Sequence, residues 1–108
     1  MLNNITIMGR LVQDPELRYT QNQKAVANFT VAVDRDIGEA TDFIPCVAWD
    51  RAAEFMSKYF RKGSMVLVKG SLRQRNWVDK EGRKRTDYEI ASEHIYFGER
   101  KNERSQMD

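Results

Sequence analysis

Five runs of strand-period alternation and one run of helical period predict an all-β domain with a single helix, built as a five-stranded Greek-key barrel in the order β-β-β-α-β-β. Three observations carry that expectation. Apolar and polar residues alternate over most of the chain. The period lengthens to that of a helix only once, after Asp50. Two glycines, Gly9 and Gly70, fall on the inward sides of strands, where a tight barrel needs sharp coiling or close backbone approach.

The first strand spans Asn4 to Val12, with Ile5, Ile7, Gly9 and Leu11 on one side. Gln13-Asp14-Pro15 ends it, and Thr20 to Lys24 is a polar loop. The second strand, Ala25 to Asp34, points Ala27, Phe29, Val31 and Val33 inward and Asn28, Thr30 and Ala32 outward. The third runs from Asp42 to Trp49, with Ile44, Cys46 and Ala48 inward and Phe43, Pro45, Val47 and Trp49 on the other face. Pro45 lacks an N–H and predicts a ladder that is irregular or open on one edge.

From Asp50, a good N-cap residue, Ala52, Phe55, Met56, Tyr59 and Phe60 follow helical spacing. Gly63 stands where a left-handed residue would end that helix, after a basic last turn. A fourth strand from Ser64 to Leu72 turns Val66, Val68, Gly70 and Leu72 inward, and a fifth covers Thr86 to Phe97. These elements together are those of an OB-fold over residues 1–97. The stretch from 98 to 108 reads as a polar, frayed tail.

With 108 residues the chain supports one core. Its apolar share of 41% and charged share of 31% fit a soluble globular protein. No apolar run approaches the ~20 residues that span a bilayer, and the start lacks the features of a secretory signal. One cysteine, Cys46, forms no internal disulfide and suits a reducing cytoplasm. With one His and one Cys, no metal or other cofactor is expected.

The net charge is only +2, yet between Arg73 and Arg85 six basic residues face two acids. Within that stretch Arg73, Arg75 and Trp77 fall at strand spacing and share a face, followed by a turn-like run at Val78 to Gly82 and then Arg83, Lys84 and Arg85. Burying unpaired guanidinium groups is expensive, so this face is an outer one. Guanidinium groups beside a flat ring suit phosphates beside an unstacked base. Phe43 and Trp49 on the third strand, with Asn28 and Thr30 on the second, lie where OB-folds take oligonucleotides. Met65 and Leu67 point away from Val66 and Val68 and predict an apolar outer patch for a second copy of the chain.

Five segments also carry a resemblance. GRLVQDPELRYT (9–20), AVANFTVAV (25–33), DFIPCVAW (42–49), RKGSMVLVKGSLRQRNW (61–77) and TDYEIA (86–91) closely resemble bacterial-type single-stranded DNA-binding proteins, in order and over nearly the whole chain to Phe97. The resemblance implies an OB-fold assembled as a homotetramer around which single-stranded DNA wraps in replication, recombination and repair. It implies stacking on Phe43, Trp49 and Trp77, and phosphate contacts at Arg51, Lys62, Arg73 and Arg75; Lys84 and Arg85 extend the same basic surface. It also implies a subunit contact near Ile44, where some members carry a histidine, and Ile37 stands near where many place a further aromatic. The family continues to an acidic tip that recruits replication and repair proteins. This sequence ends at Met107-Asp108 without that acidic tip, an ending compatible with a truncated chain and with a phage- or plasmid-encoded form alike; replication and repair proteins stay open as partners.

An enzyme is not expected. His94 beside Glu93 is the only histidine, Cys46 faces the core without an activating base, and there is no phosphate-cradling glycine motif. The other reading is the same fold used as a protein- or RNA-interaction module of a replication or primosome assembly, with weak DNA affinity.

Overall fold

The computed structural model describes residues 1–98. Six strands and one helix follow in the order β1 (Ile5–Leu11), β2 (Glu16–Tyr19), β3 (Ala25–Asp34), β4 (Thr41–Trp49), α1 (Asp50–Tyr59), β5 (Met65–Val78) and β6 (Lys84–Phe97). They are arranged β1-β5-β6-β4-β3-β2, and a further pairing of β1 with β3 closes five of them into a ring. The ring strands are the five that alternation predicts. β2 is an addition to that expectation: it pairs along β3 from Glu16↔Asn28 to Tyr19↔Ala25, with all four residues exposed.

The seams of the ring differ in length. β3 and β4 pair continuously from Val26↔Trp49 to Asp34↔Thr41. β4 and β6 meet in parallel at only two positions, Cys46↔Ile90 and Val47↔Ala91. Pro45 lies next to that short contact, where β4 has a partner on one side only. Closure brings backbones together at the two expected glycines. A Cβ on Gly9 would overlap the Ala32 carbonyl, and one on Gly70 would overlap the Ala91 carbonyl, beside a bulge between Lys69 and Gly70. Only a residue without a side chain fits there.

Inward residues of the strands, among them Phe29, Val31, Cys46, Val66, Val68 and Ile90, are buried together with Ala53, Met56 and Phe60. Burial of a side chain as large as Phe60 or Ile90 contributes roughly 1.5–3 kcal/mol.

The helix is where expected, but both of its ends differ. The N-cap position is Trp49, in extended backbone with no side-chain cap bond, and Asp50 is the first helical residue with a φ of 55°. The reason is that β4 runs into α1 without a loop, so the extended Trp49 takes the cap position and the next residue makes the turn. Asp tolerates a left-handed φ better than most residues. The C-cap is Phe60, whose N–H still bonds the Met56 carbonyl at 2.9 Å. Phe60 leaves the helix to stack on Phe97, with centroids 4.6 Å apart and planes 12° apart. Gly63 is left-handed (φ 88°), but in the following turn, where its N–H reaches the Leu11 carbonyl.

Beyond Leu72↔Ile90, where β6 still pairs with Cys46 of β4, β5 and β6 continue as a two-stranded arm, in register from Arg73↔Glu89 to Val78↔Lys84. Residues 72–78 are all exposed. Leu72, which alternation turns inward, is 44% exposed, because β1 pairs with β5 only as far as Gly70 and the ring opens beyond that point. The arm closes on a turn in which Gly82 (φ 80°) donates to the Asp79 carbonyl. Residues 99–108, most of the expected tail, lie outside the described residues.

Candidate nucleic-acid interface

Alternation along β3 and β4 turns Asn28, Thr30, Pro45, Val47 and Trp49 to the outer side, where they form the floor of an open groove of about 760 Å³. Val47, although on this side, is itself buried. One wall is the β1–β2 connection with β2, including Asp14, Glu16 and Arg18. The other is the root of the arm, with Arg75, Asp87 and Glu89.

On the arm Arg73, Arg75 and Trp77 share the face that alternation assigns them, and each arginine lies against an indole. The Arg73 guanidinium is 5.3 Å from the centre of the Trp49 ring, and that of Arg75 is 5.7 Å from Trp77. Pairs of this kind are worth about 0.5–1 kcal/mol at exposed sites. Trp77 Nε1 donates to Asp87 Oδ2 at 2.8 Å, and Arg75 Nη2 reaches the same oxygen at 3.2 Å. The β5–β6 register sets this contact by placing Arg75 opposite Asp87.

Other expected residues lie outside the groove. Phe43 is 63% exposed, six positions along β4 from Trp49 and so about 20 Å away at strand rise. Arg51 is exposed on the first turn of α1. Lys62 is exposed in the turn after the helix, its N–H bonded to Asp14 Oδ1 at 2.8 Å. Lys84 and Arg85 lie at the tip of the arm, where Arg85 Nε bonds Asp79 Oδ2 at 3.0 Å. The structure thus gathers Asn28, Thr30, Trp49, Arg73, Arg75 and Trp77 and leaves Phe43, Arg51, Lys62, Lys84 and Arg85 around them.

Several residues of this surface, Glu16, Arg18, Asp87, Tyr88 and Glu89 among them, are not among those the sequence singles out, and two of them hold residues that it does. Arg18 on β2 donates to Asn28 Oδ1 through Nε at 3.3 Å and Nη2 at 3.0 Å. Asp87 holds Arg75 and Trp77. The four exposed residues of β2 are too short a run for alternation to disclose the first, and only the strand register could disclose the second. The basic excess of the hairpin is also partly neutralised, in the ion pairs Arg75–Asp87, Arg85–Asp79 and Arg83–Glu81.

At the groove floor, burial and then the nearby Glu89 push the Cys46 thiol up to about 12. His94 stacks on Tyr96 with centroids 6.1 Å apart. Ile44 is half-buried against the core. Met65 and Leu67 are half-buried on the outer side, Leu67 in register with Met8 on one side and Tyr96 on the other. Among the described residues, no group of His, Cys, Asp and Glu could hold a metal ion, and no helix is long and apolar enough to cross a membrane.

A five-strand ring with one parallel contact, a helix between its third and fourth strands and a groove over its second and third is an OB-fold binding domain. The model of the Single-strand binding protein family matches residues 2–98, and the chain belongs to that family. It is 44% identical over 98% of its length to the single-stranded DNA-binding protein of Halalkalibacterium halodurans, covering 66% of that protein. To single-stranded DNA-binding protein A of Bacillus subtilis it is 45% identical over 94% of its length, covering 62%. To the single-stranded DNA-binding protein of Thermotoga maritima it is 42% identical over 92% of its length, covering 75%. The chain therefore spans about two thirds of the length of these relatives.

Proposed function

We propose that this chain binds single-stranded DNA without sequence preference, protecting it during replication, recombination and repair, and catalyses no reaction. The observation that carries this reading is the pair of arginine–indole contacts, Arg73 on Trp49 and Arg75 on Trp77, side by side at the groove. Every base has a π-face, so stacking tolerates all sequences, while guanidinium groups follow the backbone. In this reading Trp49 and Trp77 stack bases, Phe43 extends the path along β4, and Asn28 and Thr30 line it. Arg73 and Arg75 contact phosphates, with Arg51, Lys62, Lys84 and Arg85 receiving the strand where it leaves the groove. Family membership and the names of the relatives support the same ligand.

The protein works as a homo-oligomer, a tetramer in this reading, in the cytoplasm with the nucleoid. The row Met8, Leu67 and Tyr96, with Met65 beside it, supplies an apolar outer face for a second copy, and Ile44 lies near a subunit contact. Light scattering at micromolar concentration tests this, and a monomer mass refutes it.

Trp49 and Trp77 are the only tryptophans, so fluorescence during titration with poly(dT) reads both platforms at once. Strong quenching is expected; unchanged emission at saturating strand refutes the reading.

A further inference from the structure

We infer that Asp87 is a positioning residue of this surface, one that fixes the Trp77 ring for stacking and removes its only hydrogen-bond donor from the bases. The inference rests on the single-stranded DNA reading and names what orients one of its platforms. Trp77 is exposed on a two-stranded arm whose residues 73–78 have no core to pack against. An indole there is free to change rotamer unless something holds its edge. Asp87 Oδ2 does so, accepting Nε1–H at 2.8 Å. The same oxygen takes Arg75 Nη2 at 3.2 Å, which keeps the guanidinium against the ring at 5.7 Å.

Two consequences follow. With Arg75 against the ring, the indole is left one face for a base. And because indole has a single donor and no acceptor, the bond to Asp87 leaves Trp77 nothing with which to read a base edge. A carboxylate within a surface built for phosphates opposes binding by its charge, so holding the ring accounts for its place better than affinity does.

The test uses the Trp49→Phe protein as parent, so that Trp77 is the only fluorophore, and adds Asp87→Asn, Asp87→Ala or Asp87→Leu. Asn keeps an oxygen acceptor without the charge; Ala and Leu keep none, and Leu preserves the volume. In the absence of DNA, time-resolved anisotropy should show a fast indole motion in the Ala and Leu variants that is missing from the parent and from Asn. Affinity for oligo(dT) is then compared in about 1 M salt, where the Debye length is about 3 Å and the charge itself matters least. Asn should bind within about twofold of the parent, whereas Ala and Leu should bind roughly 3- to 10-fold more weakly, the range for one lost hydrogen bond. If Ala and Leu match the parent in anisotropy and affinity, or if Asn falls with them, Asp87 does not position the ring. If the unsubstituted protein binds no oligo(dT) at low salt, the DNA reading falls instead, and the anisotropy of the free Trp49→Phe variants still decides whether Asp87 holds Trp77.

Discussion

The side-chain amide of Asn3 bonds both backbone groups of Leu72, donating from Nδ2 to the carbonyl and accepting the N–H on Oδ1, each at 2.9 Å. It prolongs the β1–β5 ladder past its last register pair, Ile5↔Gly70, and ties down the root of the arm. Asn3→Ala should leave the ring folded and loosen that root. Two exposed bonds are worth about 1 kcal/mol together, so amide exchange at Leu72 should rise roughly fivefold while exchange at Val66 and Val68 stays slow.

Truncating a ring and truncating a cation should separate in salt. Trp77→Ala should lose roughly 1–3 kcal/mol of binding at all ionic strengths. Arg73→Ala should lower the slope of log K against log salt by about 0.7, the value of one phosphate contact on a single strand. Equal slope changes in titrations from low to high salt would remove the grounds for giving them different roles.

The tip of the arm should resist acid. The Asp79 carboxyl is held below its ordinary range by the Arg83 backbone N–H first, then by Arg85 and the Glu81 N–H, against an opposing effect of burial. A carboxylate with a lowered folded pKa stabilises fully above its unfolded value, about 3.9, and that stabilisation is lost as pH falls through the folded value. The side-chain carboxyl carbon of Asp79 itself should therefore titrate at lower pH in the folded protein than in the urea-unfolded chain, and equal midpoints in the two states would refute the claim.

Gly70→Ala should destabilise the ring. The new Cβ meets the Ala91 carbonyl, which is backbone in a paired strand and moves only by straining the bulge beside it. A penalty of about 1–3 kcal/mol is expected, read as a lower melting temperature without loss of the far-UV spectrum.

Cys46 should be silent in the native state. With the thiol pushed up to about 12 by burial and then Glu89, almost no thiolate exists at pH 8. A disulfide-exchange reagent should react only as fast as the protein opens, and at once in denaturant.

What could be read from residues alone follows from where burial imposes a period. β3, β4 and the first half of β5 each have a buried side, and their inward residues were legible one by one. Gly9 and Gly70 were legible too, since a glycine on the inward side of a strand marks a place where another backbone comes close. β2 was not, because Leu17 and Tyr19 stay exposed and four residues after a proline give alternation too short a window. The caps of α1 depend on neighbours: Trp49 already belongs to β4, and Phe60 is drawn out of the helix by Phe97. Of the groove, the outward aromatics and arginines showed in the alternation. Their partners did not, since Asp87 meets Trp77 only through a cross-strand register that the turn at Gly82 determines.

The two-pair parallel contact between β4 and β6 also governs how the ring breathes. Opening it breaks far fewer backbone bonds than opening the long antiparallel seam between β3 and β4, so local unfolding should start there. Cys46 and Val47, one side of this contact, also line the groove. A strand laid from Trp49 to the arm would bridge the seam from outside and hold it shut, because a ligand that binds only the closed form lowers the population of the open one. Successive N–H groups of a strand face opposite neighbours, so of the Ile90 and Ala91 amides the one that points across the seam to β4 would report occupancy of the groove, by exchanging more slowly when it is filled, while the one that points to β5 would serve as its control.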